Sequence, residues 1–134
     1  MSTEDRRAEL LAKKVEREKQ REAEAEAHKL LLLELEDRFE EEVGVRGRDY
    51  EIVDLGKWGE GAIVVALPKS VHIRAFRNSK MNEPQKWDLV KACLLYPEVD
   101  KLKEVAARRD FVISHCANAA CELHALDMRE REGK

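Results

Sequence analysis

Three cysteines and two histidines are the residues of this chain that could do chemistry together. Four of them, His115, Cys116, Cys121 and His124, lie within ten positions near the C-terminus, and Cys93 precedes them. Zinc requires four N or S ligands that converge tetrahedrally. Cys121 and His124 could share a helix face, but His115 and Cys116 are adjacent and point about 100° apart. Since no CxxC pair is present, we expect packed cysteines and no metal site.

The same residues could also suggest a cysteine nucleophile with a histidine base. Such a pair needs an exposed thiol in an electropositive setting, whereas all three cysteines stand in apolar surroundings. We therefore predict no catalytic residue and no enzyme activity. An odd number of apolar cysteines also indicates buried thiols in a reducing compartment, so the expected location is the cytoplasm.

The glycine-rich segment 56–61 (GKWGEG) is the next candidate, because glycine-rich loops can cradle phosphates. It matches no P-loop or dinucleotide fingerprint, and it joins two β-branched runs instead of a strand and a helix. A hairpin connection is the better interpretation, and no cofactor is expected. Trp58 within it has two interpretations: an exposed aromatic that anchors a protein interface, or a side chain that folds back on Tyr50 or the first helix.

Composition narrows the classes of partner. The chain carries 25 Lys and Arg against 28 Asp and Glu, a net charge of −3, and only 5% aromatic residues. Neither the first 43 residues nor the remainder of the chain is basic enough to suggest binding to a nucleic-acid backbone. Residues 30–33 form an apolar run far short of the roughly 20 residues that span a bilayer, and the first residues lack the apolar segment of a signal peptide. Nucleic acid and membrane are therefore not expected partners.

The first 43 residues contain no Gly or Pro and consist mainly of good helix formers. They predict one helix over residues 4–42, which forms an arm. Its second half carries an apolar stripe at three- and four-residue steps, formed by Leu32, Leu35, Phe39 and Val43. We expect this stripe to bind protein, either the compact domain or another subunit. The arm could be a self-associating coiled coil or a solvated helix, because its polar middle lacks sustained heptads.

From Gly44 the pattern changes to that of a compact α+β domain over residues 44–126, followed by a charged, flexible tail at 127–134. Two β-branched runs, 50–55 and 62–67, predict a β-hairpin. Apolar spacing predicts about four short helices after it, with Asn82 and Asp110 as caps. The fold class is thus α+β, mostly α. The expected core residues are Phe39, Ile52, Val64, Val71, Phe76, Trp87, Val90, Leu94, Leu102, Val112, Cys116 and Leu123.

The C-terminal pattern resembles the tail assembly chaperones of long-tailed bacteriophages. The run 62–68 (AIVVALP) leads into a helix with Phe76 and Arg77, and 87–98 (WDLVKACLLYPE) precedes the final helices. The resemblance covers about residues 60–126. It implies a non-enzymatic chaperone that coats the tape measure protein before the tail tube polymerises.

Three functions remain as hypotheses at this point. The leading one is a chaperone that binds an aggregation-prone helical protein client through its arm and hairpin. The second is an oligomeric scaffold or virion component joined through the long helix. The third is a metal-dependent or thiol enzyme. A homo-oligomer fits the first two, because the apolar stripe would otherwise stay partly exposed.

Overall fold

The computed structural model describes residues 2–133, and a 40-residue helix dominates its N-terminal part. Helix α1 spans Thr3–Glu42, and the Ser2 hydroxyl oxygen accepts a hydrogen bond from the Asp5 N–H as its N-cap. At 1.5 Å per residue the helix is about 60 Å long. The predicted helix over 4–42 is confirmed. Met1, the first residue of the predicted arm, lies outside the described residues.

A three-stranded antiparallel sheet follows α1. Strands β1 (Tyr50–Asp54) and β2 (Ala62–Ala66) form the predicted hairpin, with Tyr50 opposite Ala66 and Asp54 opposite Ala62. Their connection contains a 3-10 turn at Gly56–Trp58. Strand β3 (Leu94–Tyr96) was not predicted from the sequence. It pairs with β2 on the side away from β1.

Four helices complete the chain, as predicted. Their bounds are Ser70–Asn78 for α2, Glu83–Cys93 for α3, Val99–Arg108 for α4 and Val112–Glu132 for α5. Asn82 caps α3, since its side-chain oxygen accepts a hydrogen bond from the Gln85 N–H at 3.0 Å. The fold is α+β and mostly α, with α1 on one face of the sheet and the later helices on the other.

Two hydrophobic clusters sandwich the sheet, because successive strand residues face opposite sides. On one face Tyr50, Ile52, Ala62 and Val64 pack against α1. On the other face Ile63 and Val65 belong to the larger cluster formed with the four later helices. The second half of α1 therefore packs on the predicted compact domain, across the predicted boundary at residue 43.

Several local predictions were wrong. Val71 is 57% exposed, because Ile73 and Phe76 form the buried face of α2 and Val71 lies roughly 160° round the helix from Ile73. Trp87 and Leu94 are only half-buried. Phe111, not Asp110, occupies the cap position of α5, with no side-chain hydrogen bond.

Within the charged segment predicted as a flexible tail, residues 127–132 are helical, since α5 continues through Glu132. Asp127 and Arg131 are one turn apart on that helix, with Asp127 Oδ2 3.1 Å from Arg131 Nε. Lys134 lies outside the described residues. No helix among residues 2–133 is long and apolar enough to cross a membrane.

Candidate protein-binding surface of helix α1

The apolar stripe of α1 packs on the chain's own sheet. Leu35 and Phe39 are 4% and 2% exposed, and Phe39 lies against Tyr50 with ring centroids 5.9 Å apart. Leu32 is half-buried beside the same cluster, while Val43 is the C-cap of α1 and stays exposed. The stripe was expected to bind either the compact domain or another subunit, and in the structure it packs on the compact domain. Leu35 and Phe39 therefore have no free surface for a second protein.

A polar contact marks where α1 meets the hairpin. His28 Nε2 lies 2.6 Å from Asp54 Oδ1, the same oxygen that accepts a hydrogen bond from the Gly56 N–H at 2.8 Å. Burial raises the pKa of Asp54, but these two hydrogen bonds outweigh it, so the pKa lies below its ordinary value. The sequence offered a signal for this contact, because His28 precedes Leu32 by four residues and Leu35 by seven on one helix face.

Before His28, α1 extends from the body of the protein into solvent. Every described residue of this arm, 2–27, is exposed except the half-buried Glu9. The arm spans about 25 helical residues, roughly 37 Å. It has three exposed large apolar side chains, Leu10 at 44%, Leu11 at 53% and Val15 at 49%.

The face of α1 that points away from the sheet also carries exposed apolar side chains. Leu30 and Leu33 are 56% and 64% exposed. At about 100° per residue, Leu11, Val15, Leu30 and Leu33 all lie at least about 120° from Leu35. We call these four the outer apolar residues. They were not predicted as binding residues, because their spacing is less regular than that of the stripe on the opposite face.

Trp58 does not stand free at the hairpin tip. Its ring is half-buried, with its centroid 4.7 Å from that of Phe111 and 6.0 Å from that of His115. The fold-back interpretation therefore describes Trp58 better than the exposed anchor. Its contact is the start of α5, however, and not Tyr50 or α1 as expected.

Glu60 fixes the same loop to the end of α4, a role that sequence reasoning did not find. Arg108 donates to both carboxylate oxygens of Glu60, at 2.8 Å from Nη2 to Oε2 and 3.0 Å from Nε to Oε1. The guanidinium of Arg108 holds the pKa of Glu60 below its ordinary value. The two residues are 48 positions apart in the chain, so no local pattern could reveal the pair. The glycine-rich loop is thus a packed structural connection.

The three cysteines are free thiols that are buried or half-buried. Among residues 2–133, no three His, Cys, Asp or Glu side chains are grouped so that they could hold a metal ion. Burial raises the pKa of Cys93 and of Cys116 to about 12, and it also raises the pKa of the half-buried Cys121. A raised thiol pKa lowers the thiolate fraction on which nucleophilic attack depends.

Comparison with protein-family models, curated proteins and solved structures found no match.

Proposed function

We propose that this protein is a non-enzymatic chaperone that binds a helical protein client along the free arm of α1. The observation that carries the proposal is the arm itself: a helix anchored on its own sheet from His28 onward, whose first 25 residues are exposed except for the half-buried Glu9. Leu11 and Val15 give that arm apolar contact points between charged side chains. Leu11 and Val15 are one turn apart, and apolar side chains at three- and four-residue spacing can contact a helical partner.

The composition of the arm supports a chaperone's need for solubility. Residues 2–27 carry seven Lys and Arg and eight Asp and Glu, which surround the few apolar side chains. Such a surface can cover part of an aggregation-prone helix while the complex stays well solvated. The tape measure protein of a long-tailed phage is the client we propose, on the resemblance of residues 60–126 to tail assembly chaperones. A cytoplasmic location belongs to the proposal, since three free thiols suit a reducing compartment.

Co-expression with a tape measure protein tests the proposal. The soluble client is measured with the wild-type chain and with a Leu11→Asp/Val15→Asp variant. We expect the variant to return soluble client to the level found without the chaperone. A Gln20→Asp/Ala23→Asp variant is the matched control, because it adds the same two charges to the same exposed arm and should keep the client soluble. Client solubility that is equal with both variants overturns the role of the arm.

An oligomeric scaffold is the second candidate, and the exposure of Leu30 and Leu33 favours it. These neighbours lie on the outer face of α1 next to the anchored region, where a second copy of α1 could cover them in a symmetric pair. Sedimentation over a dilution series separates the candidates. A scaffold stays assembled on dilution and dissociates when Leu30→Asp/Leu33→Asp is introduced, whereas a chaperone without a client sediments as the same small species in both forms.

A further inference from the structure

The outer edge of strand β3 borders a groove that the function of α1 does not use. β3 is the last strand of the sheet order β1-β2-β3, so its other edge is not paired with a strand among the described residues. Open strand edges present backbone N–H and C=O groups to any extended chain that approaches. The groove has a volume of about 600 Å³ and is lined by Arg38, Lys91, Leu94, Leu95, Tyr96, Pro97, Glu98, Val99 and Lys101.

A β-bulge shapes the floor of this groove. Leu94 pairs with Val65 and Tyr96 pairs with Val64, which leaves Leu95 as an extra residue between them. Such an extra residue turns neighbouring side chains to the same side of the strand. Leu95 and Tyr96 accordingly both pack beside the cluster under α1, yet each remains half-buried. Part of their apolar surface is therefore available at the edge.

The residues that line the groove carry a net positive charge, in a chain whose net charge is negative. Arg38, Lys91 and Lys101 surround it against the single carboxylate of Glu98, while the whole chain carries −3. The three cations come from α1, α3 and α4, so three separate helices place positive charge around one strand edge.

Each of these cations already has a carboxylate neighbour on its own helix, but the contacts are exposed and loose. The N···O distances are 3.3 Å for Arg38 with Glu42, 3.9 Å for Lys91 with Asp88 and 3.6 Å for Lys101 with Glu104. Exposed pairs of this kind contribute little to stability. Lys91 and Lys101 can therefore turn toward an incoming carboxylate at small cost, whereas the guanidinium of Arg38 also lies over the ring of Phe39, 4.8 Å from its centroid.

We propose that the β3 edge is a second protein-binding site, which takes an extended acidic segment of a partner by strand addition. Main-chain hydrogen bonds to β3 would supply affinity, alternate apolar side chains would contact Leu95 and Tyr96, and acidic side chains would contact the basic rim. The site is separate from the outer apolar residues of α1 and does not depend on the client of that helix.

A defined peptide probe tests this site on the full-length chain. The probe is a fluorescein-labelled heptapeptide of sequence Glu-Val-Glu-Leu-Glu-Val-Glu, with a counterpart in which every Glu is Lys. We expect the acidic peptide to bind, more weakly as salt is added, and the basic counterpart not to bind. Lys91→Glu/Lys101→Glu should raise the Kd of the acidic peptide about tenfold, because two attractive contacts become repulsive. Lys103→Glu, an exposed charge reversal outside the groove on α4, should leave the Kd unchanged.

The binding mode has its own readout. Amide NMR shifts of Leu94, Leu95 and Tyr96 should move on titration, and N-methylation of alternate peptide residues should abolish binding, since it removes the hydrogen-bond donors of one edge. The proposal is overturned by equal binding of the acidic and basic peptides, by equal effects of the groove and Lys103 variants, or by helix formation in the bound peptide. Tighter binding of a single-stranded oligonucleotide than of the acidic peptide also overturns it, and would assign the basic rim to nucleic acid.

Discussion

His28 and Asp54 join the long helix to the first strand across 26 residues of sequence, with Nε2 of one 2.6 Å from Oδ1 of the other. The contact lies where α1 passes from the packed part of the protein to the free arm. It is partly exposed, since the side chain of Asp54 is 54% accessible and that of His28 is 21% accessible. The contact therefore contributes mainly to positioning: it fixes the point on the hairpin at which the arm leaves the compact part of the protein.

The lowered pKa of Asp54 predicts a specific acid response. A carboxyl group whose pKa is lower in the folded state stabilises the fold at pH values above its pKa in the unfolded chain, which is 3.8 here. It loses that contribution as the pH falls through its pKa in the folded protein. Asp54→Asn should therefore be less stable than wild type at neutral pH, and the difference should vanish under acid conditions. Urea unfolding from neutral pH to below 3.8 measures this.

The comparison with wild type is needed because other carboxyl groups respond in the same direction. Arg48 lowers the pKa of Asp49, and Arg108 lowers that of Glu60, so the wild-type protein loses stability in acid for several reasons. A difference between wild type and Asp54→Asn that persists at low pH would contradict the role of this carboxylate.

Gly56 leaves room for the ring of His28. A Cβ at position 56 would overlap that ring, so Gly56→Ala should destabilise the fold by about 1–3 kcal/mol. In a His28→Ala background the ring is absent, so Gly56→Ala should lower the free energy of unfolding much less. A double-mutant cycle by chemical denaturation should give a coupling energy of about 0.5–3 kcal/mol. Additive effects would show that the ring and the loop do not contact each other in solution.

The two faces of α1 should respond differently to truncation of their side chains. Leu35→Ala and Phe39→Ala each remove a buried group from the contact with the sheet and should cost roughly 2–5 kcal/mol of unfolding free energy. Leu33→Ala, on the outer face, should stay within about 0.5 kcal/mol of wild type because surface substitutions rarely do more. A Leu33→Ala cost comparable to that of Leu35→Ala would indicate that a second chain covers the outer face.

Trp58 should contribute to stability and not to partner capture. Trp58→Ala removes the contacts with Phe111 and His115, and we expect a loss of about 1–3 kcal/mol, less than for a fully buried Trp. Thermal unfolding measures the loss. Soluble client in the co-expression assay should be unchanged at a temperature where the variant stays folded. A fully stable variant that fails to hold the client would restore the interface interpretation.

The thiols should react in a fixed order with Ellman's reagent. Cys93 and Cys116 are buried, with pKa values of about 12, so they should be nearly inert in the folded protein at mildly alkaline pH. The half-buried Cys121 should react first, though slowly, since burial raises its pKa as well. All three should react at once in denaturant. Rapid labelling of native Cys116 would show that α5 opens readily.

Much of the fold was predictable because local chemistry and tertiary structure agree. Helix α1 follows from helix-forming residues without Gly or Pro, and the hairpin follows from two β-branched runs around a glycine-rich connection. Strand β3 was not predictable in this way. Leu94 continues the helical spacing of Trp87 and Val90, so the local pattern predicts a helix at this position. Its extended conformation is set by pairing with β2, whose residues are about 30 positions away in sequence.

The candidate site was less predictable than the fold, for a physical reason. An apolar stripe indicates that a helix face is buried, but it does not identify the surface that covers this face. Leu35 and Phe39 were correctly identified as apolar contact residues, and the structure shows them against the chain's own sheet. Once that face is occupied, the exposed apolar side chains that remain along α1 are Leu10, Leu11, Val15, Leu30 and Leu33. Their pattern is weaker, and sequence alone ranks it second.

The burial of Leu35 and Phe39 also decides where this chain can be cut. A fragment that begins at Gly44 would lose the entire helical layer over Tyr50, Ile52 and Val64, and a bare apolar sheet in water is a template for aggregation. A fragment that begins shortly before His28 would keep that layer and discard only the solvated arm. Limited proteolysis of the intact protein should accordingly leave a resistant product whose first residue lies well upstream of Gly44, inside an uninterrupted helix.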